Sequence, residues 1–111
     1  MALPFEITPQ ELRSKLETGE RVYLLDVREP FEYQICRIGD ARFVPMGAVP
    51  ASLPELERAG DDGLLVAYCH HGVRSLSVIA WLRNQGLENC QSLSGGIDRW
   101  STEVDPAVPR Y

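Results

Sequence analysis

Five consecutive apolar residues, Leu64-Leu65-Val66-Ala67-Tyr68, run straight into a cysteine, a short glycine-containing loop and a helix-patterned segment from Ser75 to Gln85. An apolar run without polar alternation has no face to give to water. It therefore predicts a strand buried on both sides of a parallel sheet. Parallel neighbours need crossover connections, which helices supply. That one stretch commits the chain to an α/β architecture, a mostly parallel central sheet with helices on both faces.

The rest of the chain agrees with that commitment. Thr8-Pro9-Gln10-Glu11 has the form of a capping box with proline at the first helical position, and Leu12 and Leu16 follow at i and i+4. This predicts a helix over 9–17, closed by Gly19. Residues 21–27 predict a second buried strand, 30–34 a single helical turn, 41–45 a short strand and 46–59 a partly helical stretch limited by Pro50 and Pro54. Gly60-Asp61-Asp62-Gly63 reads as a plain loop. The helix over 75–85 carries Leu76, Ile79, Ala80 and Arg83 on one face, with Gly86 as its C-cap. Asn89–Leu93 predicts a last strand, and Gly95-Gly96 a turn into a short helix through Trp100, a core aromatic. Trp81 belongs to a helix packing face. The 111 residues suit a single domain, 1–111, with a core over about 8–101 and an irregular tail over 102–111 marked by Pro106 and Pro109.

Charge narrows the partners. A formal net charge of −5 with scattered Lys and Arg argues against nucleic acid or an anionic membrane, both of which reward clustered cations. Apolar runs stay well short of the about 18 residues that span a bilayer. Residues 1–6 have neither the basic nor the apolar region of a secretory signal. With three cysteines, an odd number, the chain reads as a cytoplasmic protein with reduced thiols.

In an open α/β sheet the ligand site lies at the carboxyl ends of the strands. Here that position holds Tyr68-Cys69-His70-His71-Gly72-Val73-Arg74-Ser75. Backbone N–H groups of a tight loop at a helix N-terminus, with the helix dipole behind them, attract negative charge and favour a thiolate, the nucleophilic form of cysteine. Gly72 lets the loop bend and brings its backbone close to a ligand. Arg74 offers a positive fork for an oxyanion such as a sulfonate; its alternative is an ion pair at the helix start. A cysteine after an apolar strand is often just a small buried hydrophobe. The order strand, Cys, tight loop, Arg, helix points instead to a reactive Cys69.

His70 and His71 are neighbours in sequence and do not make a metal pair, since zinc draws ligands from separated positions. They are expected at the loop rim, lending polarity and partial positive charge. Asp26 and Arg28 end a strand, where they buttress a neighbouring loop. Cys36 and Cys90 read as ordinary thiols, a disulfide of either with Cys69 being the alternative.

Three segments together resemble the single-domain rhodaneses. Cys69-His70-His71-Gly72-Val73-Arg74-Ser75 looks like the family's active-site loop. Leu25-Asp26-Val27-Arg28-Glu29-Pro30-Phe31-Glu32-Tyr33 is similar to its N-terminal signature, and Leu93-Ser94-Gly95-Gly96-Ile97-Asp98-Arg99-Trp100 to its C-terminal one. Where that first signature usually continues Gly-His-Ile, this chain has Cys36-Arg37-Ile38. The resemblance implies the rhodanese-like fold and transfer of sulfane sulfur through a Cys69 persulfide, with no cofactor. The donor is one such as thiosulfate and the acceptor a thiol or cyanide. It maps sulfur and substrate binding onto His70, His71, Gly72, Val73, Arg74 and Ser75. Two other readings stand beside it. One is a sulfur-carrier or partner-binding module fed by a protein donor. The other is a Cys-dependent phosphatase, whose loops are one residue longer between Cys and Arg and cradle a phosphoryl group better.

Overall fold

The structure, a computed structural model, describes residues 3–111. Met1 and Ala2, part of the segment read for a secretory signal, lie outside the described residues. Among the described residues five strands form one sheet: β1 (Glu6–Ile7), β2 (Val22–Asp26), β3 (Arg42–Phe43), β4 (Leu64–Tyr68) and β5 (Cys90–Leu93). Their order is β1-β5-β4-β2-β3 and every pairing is parallel. Strand β4 lies in the middle, with Ala67 beside Leu25 on one flank and Ser92 on the other.

The unbroken apolar run of β4 is explained by its two faces. Leu65 and Ala67, with Cys69 beyond them, pack on Leu56, Val78, Ile79 and Leu82. Those residues come from α3 (Leu53–Asp62) and α4 (Val73–Asn84). Val66 and Tyr68 point the other way, onto Leu12 of α1 (Pro9–Glu17) and Ile97 and Trp100 of α5 (Gly96–Glu103). Each fully buried aliphatic side chain contributes about 1.5–3 kcal/mol, so neither face tolerates a polar residue cheaply. Among the described residues no helix is long and apolar enough to cross a membrane.

Local signals place α1. Thr8 Oγ1 accepts the Glu11 N–H at 3.1 Å, and Glu11 Oε1 accepts the Thr8 N–H at 3.0 Å. These bonds hold the Glu11 carboxyl below the usual carboxylate range. The turn expected over 30–34 is the helix α2 (Pro30–Ile35).

The stretch expected over 46–59 is partly helical and irregular at its prolines, while other expectations need correction. The stretch after β3 makes two 3-10 turns, Met46–Ala48 and Pro50–Ser52, before α3 begins. Pro54 then falls in the first turn of α3, where its missing N–H costs nothing. Helix α3 continues through Gly60-Asp61-Asp62, read above as a loop. Leu87 packs close to this part of α3: a β-carbon on residue 60 would come within 2.9 Å of its side chain. Glycine there serves close packing, not a turn. Helix α4 starts at Val73 and not at Ser75, because its first turn is part of the cysteine loop. Its buried stripe is Ser75, Val78, Ile79 and Leu82, while Ala80 is exposed. Strand β1 was not foreseen; two residues carry no periodicity. It is fixed by the Ser92 N–H to Phe5 carbonyl bond at 2.7 Å and the Ser94 N–H to Ile7 carbonyl bond at 2.9 Å.

Candidate functional site

Cys69 is the first residue beyond β4 and is 1% exposed. Its Sγ accepts the Gly72 N–H at 3.1 Å and the Ser75 N–H at 3.4 Å, with Ser75 Oγ 3.5 Å away. Gly72 has φ 101°, the left-handed conformation that turns the chain back over the sulfur and starts α4. Ser75 Oγ shares a 2.7 Å hydrogen bond with Ser92 Oγ, which ties the first turn of α4 to β5. Converging donors of this kind stabilise negative charge on sulfur.

The back of the loop hangs on α5. Ile97 N–H donates to the Cys69 carbonyl at 2.9 Å and Asp98 N–H to the His70 carbonyl at 3.1 Å. First-turn amides of a helix have no partner within it, and here the cysteine loop supplies the acceptors. The approach requires Gly96: a β-carbon at that position would lie 2.5 Å from the Cys69 oxygen.

A buried charge layer lies beside this assembly. Asp26 and Arg28 are both 0% exposed. Arg28 Nε donates to Asp26 Oδ1 at 2.9 Å and Nη2 to Oδ2 at 2.7 Å, while Nη2 also reaches the Cys36 carbonyl and Nη1 the Tyr111 hydroxyl at 2.9 Å. With every bond made, the pair is satisfied; with one partner removed, the other is left as an uncompensated buried charge. Glu32, on α2, is the hub of the next link. It accepts Arg74 Nη1 at 2.7 Å, Arg74 Nη2 at 3.0 Å and the Tyr111 hydroxyl at 2.7 Å. The Arg74 bonds pull the Glu32 carboxyl down to about 2.

That shift carries a pH dependence. A depressed carboxylate contributes stability that is fully present above its unfolded value of 4.5 and is lost as pH falls through about 2. At neutral pH the contribution is on the order of 3 kcal/mol. Urea titrations at several pH values are expected to show Glu32→Gln losing most of it near pH 7. The gap to the wild type should close between pH 4.5 and 2. A gap constant across that range would place the cost of the substitution elsewhere.

The side chains singled out in the sequence fall into three groups. Cys69, Gly72 and Ser75 form the sulfur cradle. Arg74 stands beside it, but its fork is engaged by Glu32, the ion pair left open as the alternative to anion binding. His71 and Val73 are exposed. His70 is half-buried, stacked between His71 and Tyr111, each ring centroid 3.9 Å away. Burial lowers the His70 pKa, and this opposes the positive charge expected of it. Cys36 and Cys90 are buried free thiols, and burial pushes the Cys90 thiol up. Among the described residues no group of three His, Cys, Asp or Glu side chains could hold a metal ion. Glu32, Ser92, Gly96 and Tyr111 were not anticipated as parts of the site. Glu32 and Gly96 sit inside the quoted signatures; Tyr111 had no local signal.

The rhodanese-like domain model matches residues 8–103, which include the cradle, its α5 support and Glu32. The chain belongs to the rhodanese-like family. A sulfurtransferase of Allochromatium vinosum is 35% identical over 103 residues, covering 93% of this chain and 94% of that protein. A probable adenylyltransferase/sulfurtransferase, MoeZ of Mycobacterium tuberculosis, is 34% identical over 105 residues. That match covers 95% of this chain, which spans only about a quarter (26%) of the MoeZ length. Among solved structures, a rhodanese-related protein from Thermoplasma volcanium superposes with a TM-score of 0.81 at 30% identity, covering 97% of this chain and 100% of that one. The rhodanese-like fold of this chain thus has relatives of matching length named as sulfurtransferases.

Proposed function

We propose that the protein moves sulfane sulfur through a persulfide on Cys69, with thiosulfate as a competent donor. The observation that carries this reading is the cradle: Gly72 N–H, Ser75 N–H and Ser75 Oγ all within 3.5 Å of one sulfur. The Cys69 thiolate attacks the outer sulfur of thiosulfate, the S–S bond of the donor breaks, and sulfite leaves with the electron pair. The new terminal sulfur is anionic, and loop amides are the groups suited to stabilise it. A thiol or cyanide acceptor then attacks that sulfur, the Cys69 S–S bond breaks, and the thiolate returns. Val73 to Ser75, with His70 and His71 at the rim, line the approach for donor and acceptor. We take residues 8–101 as one domain with the tail packed back on it, working in a reducing, cytoplasmic setting that keeps its three thiols free.

Two features bear on the rival readings. Arg74 faces Glu32 in a bidentate pair, an arrangement that withdraws it from a phosphoryl group on Cys69. The likeness to the sulfurtransferase portion of longer proteins such as MoeZ supports a protein as donor or acceptor. Intact-mass measurement after thiosulfate treatment tests the proposal. The expected result is a gain of one sulfur that cyanide removes. A protein that gains nothing from thiosulfate but is loaded by a persulfidated protein donor is a carrier instead. Release of phosphate from an aryl phosphate without sulfur uptake overturns both.

A further inference from the structure

Residues 104–111 form no helix or strand beyond a turn, yet they are held along their length. Val104 and Asp105 N–H both donate to the Trp100 carbonyl at 2.9 Å. Val108 is buried beside Trp100 and Ile97. Arg110 Nε donates to Asp98 Oδ1 at 2.9 Å. These contacts deliver Tyr111 to the flank of the cysteine loop. Its ring lies almost parallel to His70, 8° between planes, and its hydroxyl donates to Glu32 and accepts from Arg28.

We infer that Tyr111 is a positioning residue for sulfur transfer, its ring clamping His70 and its hydroxyl joining the Asp26–Arg28 pair to the Glu32–Arg74 pair. The inference rests on Cys69 as the sulfur carrier. His70 directly follows Cys69, and its carbonyl is already held by α5. The stack on Tyr111 fixes the side chain of the same residue, so the loop is gripped from two sides. The hydroxyl acts on the other end of the loop: Glu32 orients Arg74, the residue before Ser75, whose N–H and hydroxyl face the sulfur. Donors that must track a moving charge act best when they are fixed beforehand. The tail thus stiffens both ends of the cradle without touching the reacting atoms.

Persulfide formation is to be followed at varied thiosulfate for wild type, Tyr111→Phe and Tyr111→Ala, with amide hydrogen exchange on each. Tyr111→Ala is expected to lower the saturating loading rate about 10-fold or more, with an apparent KM within about 3-fold. Tyr111→Phe keeps the stack and loses the hydroxyl bridge, and is expected to recover only part of that loss, the remainder being the share of the hydroxyl. Exchange at the Gly72 and Ser75 amides should speed up in Tyr111→Ala while the β4 amides of Leu65 and Val66 stay unchanged. Wild-type loading by Tyr111→Ala overturns the inference. So does exchange that rises equally in β4, which marks a merely global loss of stability. If the wild type takes up sulfur neither from thiosulfate nor from a persulfidated protein donor, the Cys69 reading fails, and the exchange comparison still decides whether Tyr111 holds the loop.

Discussion

Cys69→Ser is expected to take up no sulfur from thiosulfate, with its fold retained. A hydroxyl is far less readily ionised than a thiol and cannot form a disulfide-type bond to the incoming sulfur. The serine oxygen would keep the Gly72 and Ser75 donors as partners, so no buried polar group is orphaned by the change. The remaining thiols are poor substitutes. Cys36 is 7% exposed, and Cys90 is 0% exposed with its thiol donating to the Leu87 carbonyl at 3.2 Å. Intact mass after thiosulfate treatment reads the result directly. A variant that still gains one sulfur would move the carrier to one of these two residues.

Gly96→Ala is expected to damage both stability and sulfur loading. Residue 96 has φ 62°, a conformation that costs a residue with a β-carbon about 1–2 kcal/mol. The larger penalty is steric, because the added carbon meets the Cys69 and His70 carbonyl oxygens, and backbone cannot swing aside as a long side chain can. The loop must lift from α5, breaking the bonds from the Ile97 and Asp98 amides. A loss of about 3–5 kcal/mol in urea unfolding is expected, together with a sulfur-loading rate down by about 100-fold. Gly39→Ala supplies the comparison. Gly39 has a similar φ of 50° but open space around it, so only the conformational cost of about 1–2 kcal/mol should appear. Equal losses in the two variants would show that the close approach of loop and α5 is not what Gly96 provides.

Legibility in the sequence follows how local each determinant is. The start of helix α1 was readable because Thr8 and Glu11 cap it from within four positions. Strand β4 was readable because burial on both faces leaves no polar residue in the run. The cradle was readable in outline, since strand, Cys69, Gly72 and helix are consecutive. The buried stripe of α4 was misjudged because the helix begins inside the loop, and Gly60 misled because its partner, Leu87, is remote in sequence. Arg74 shows the limit best. Its residue type announced an anion partner, but Glu32, 42 positions away, already fills that role.

By itself, then, the sequence determined the parallel α/β architecture, the place of Cys69 at the sheet's mouth and the loop that bends over it. Each follows from residues in immediate succession, where covalent geometry and burial leave few alternatives. Only the tertiary structure decided what holds that loop: Ser92 behind Ser75, the α5 amides behind Cys69 and His70, and the chain of charges from Asp26 to Arg74 through Tyr111. The hydroxyl of Tyr111 lies 79 positions from the carboxylate it meets. No periodicity or capping rule spans such a distance, and it was closed by packing of the tail against Trp100 and Asp98.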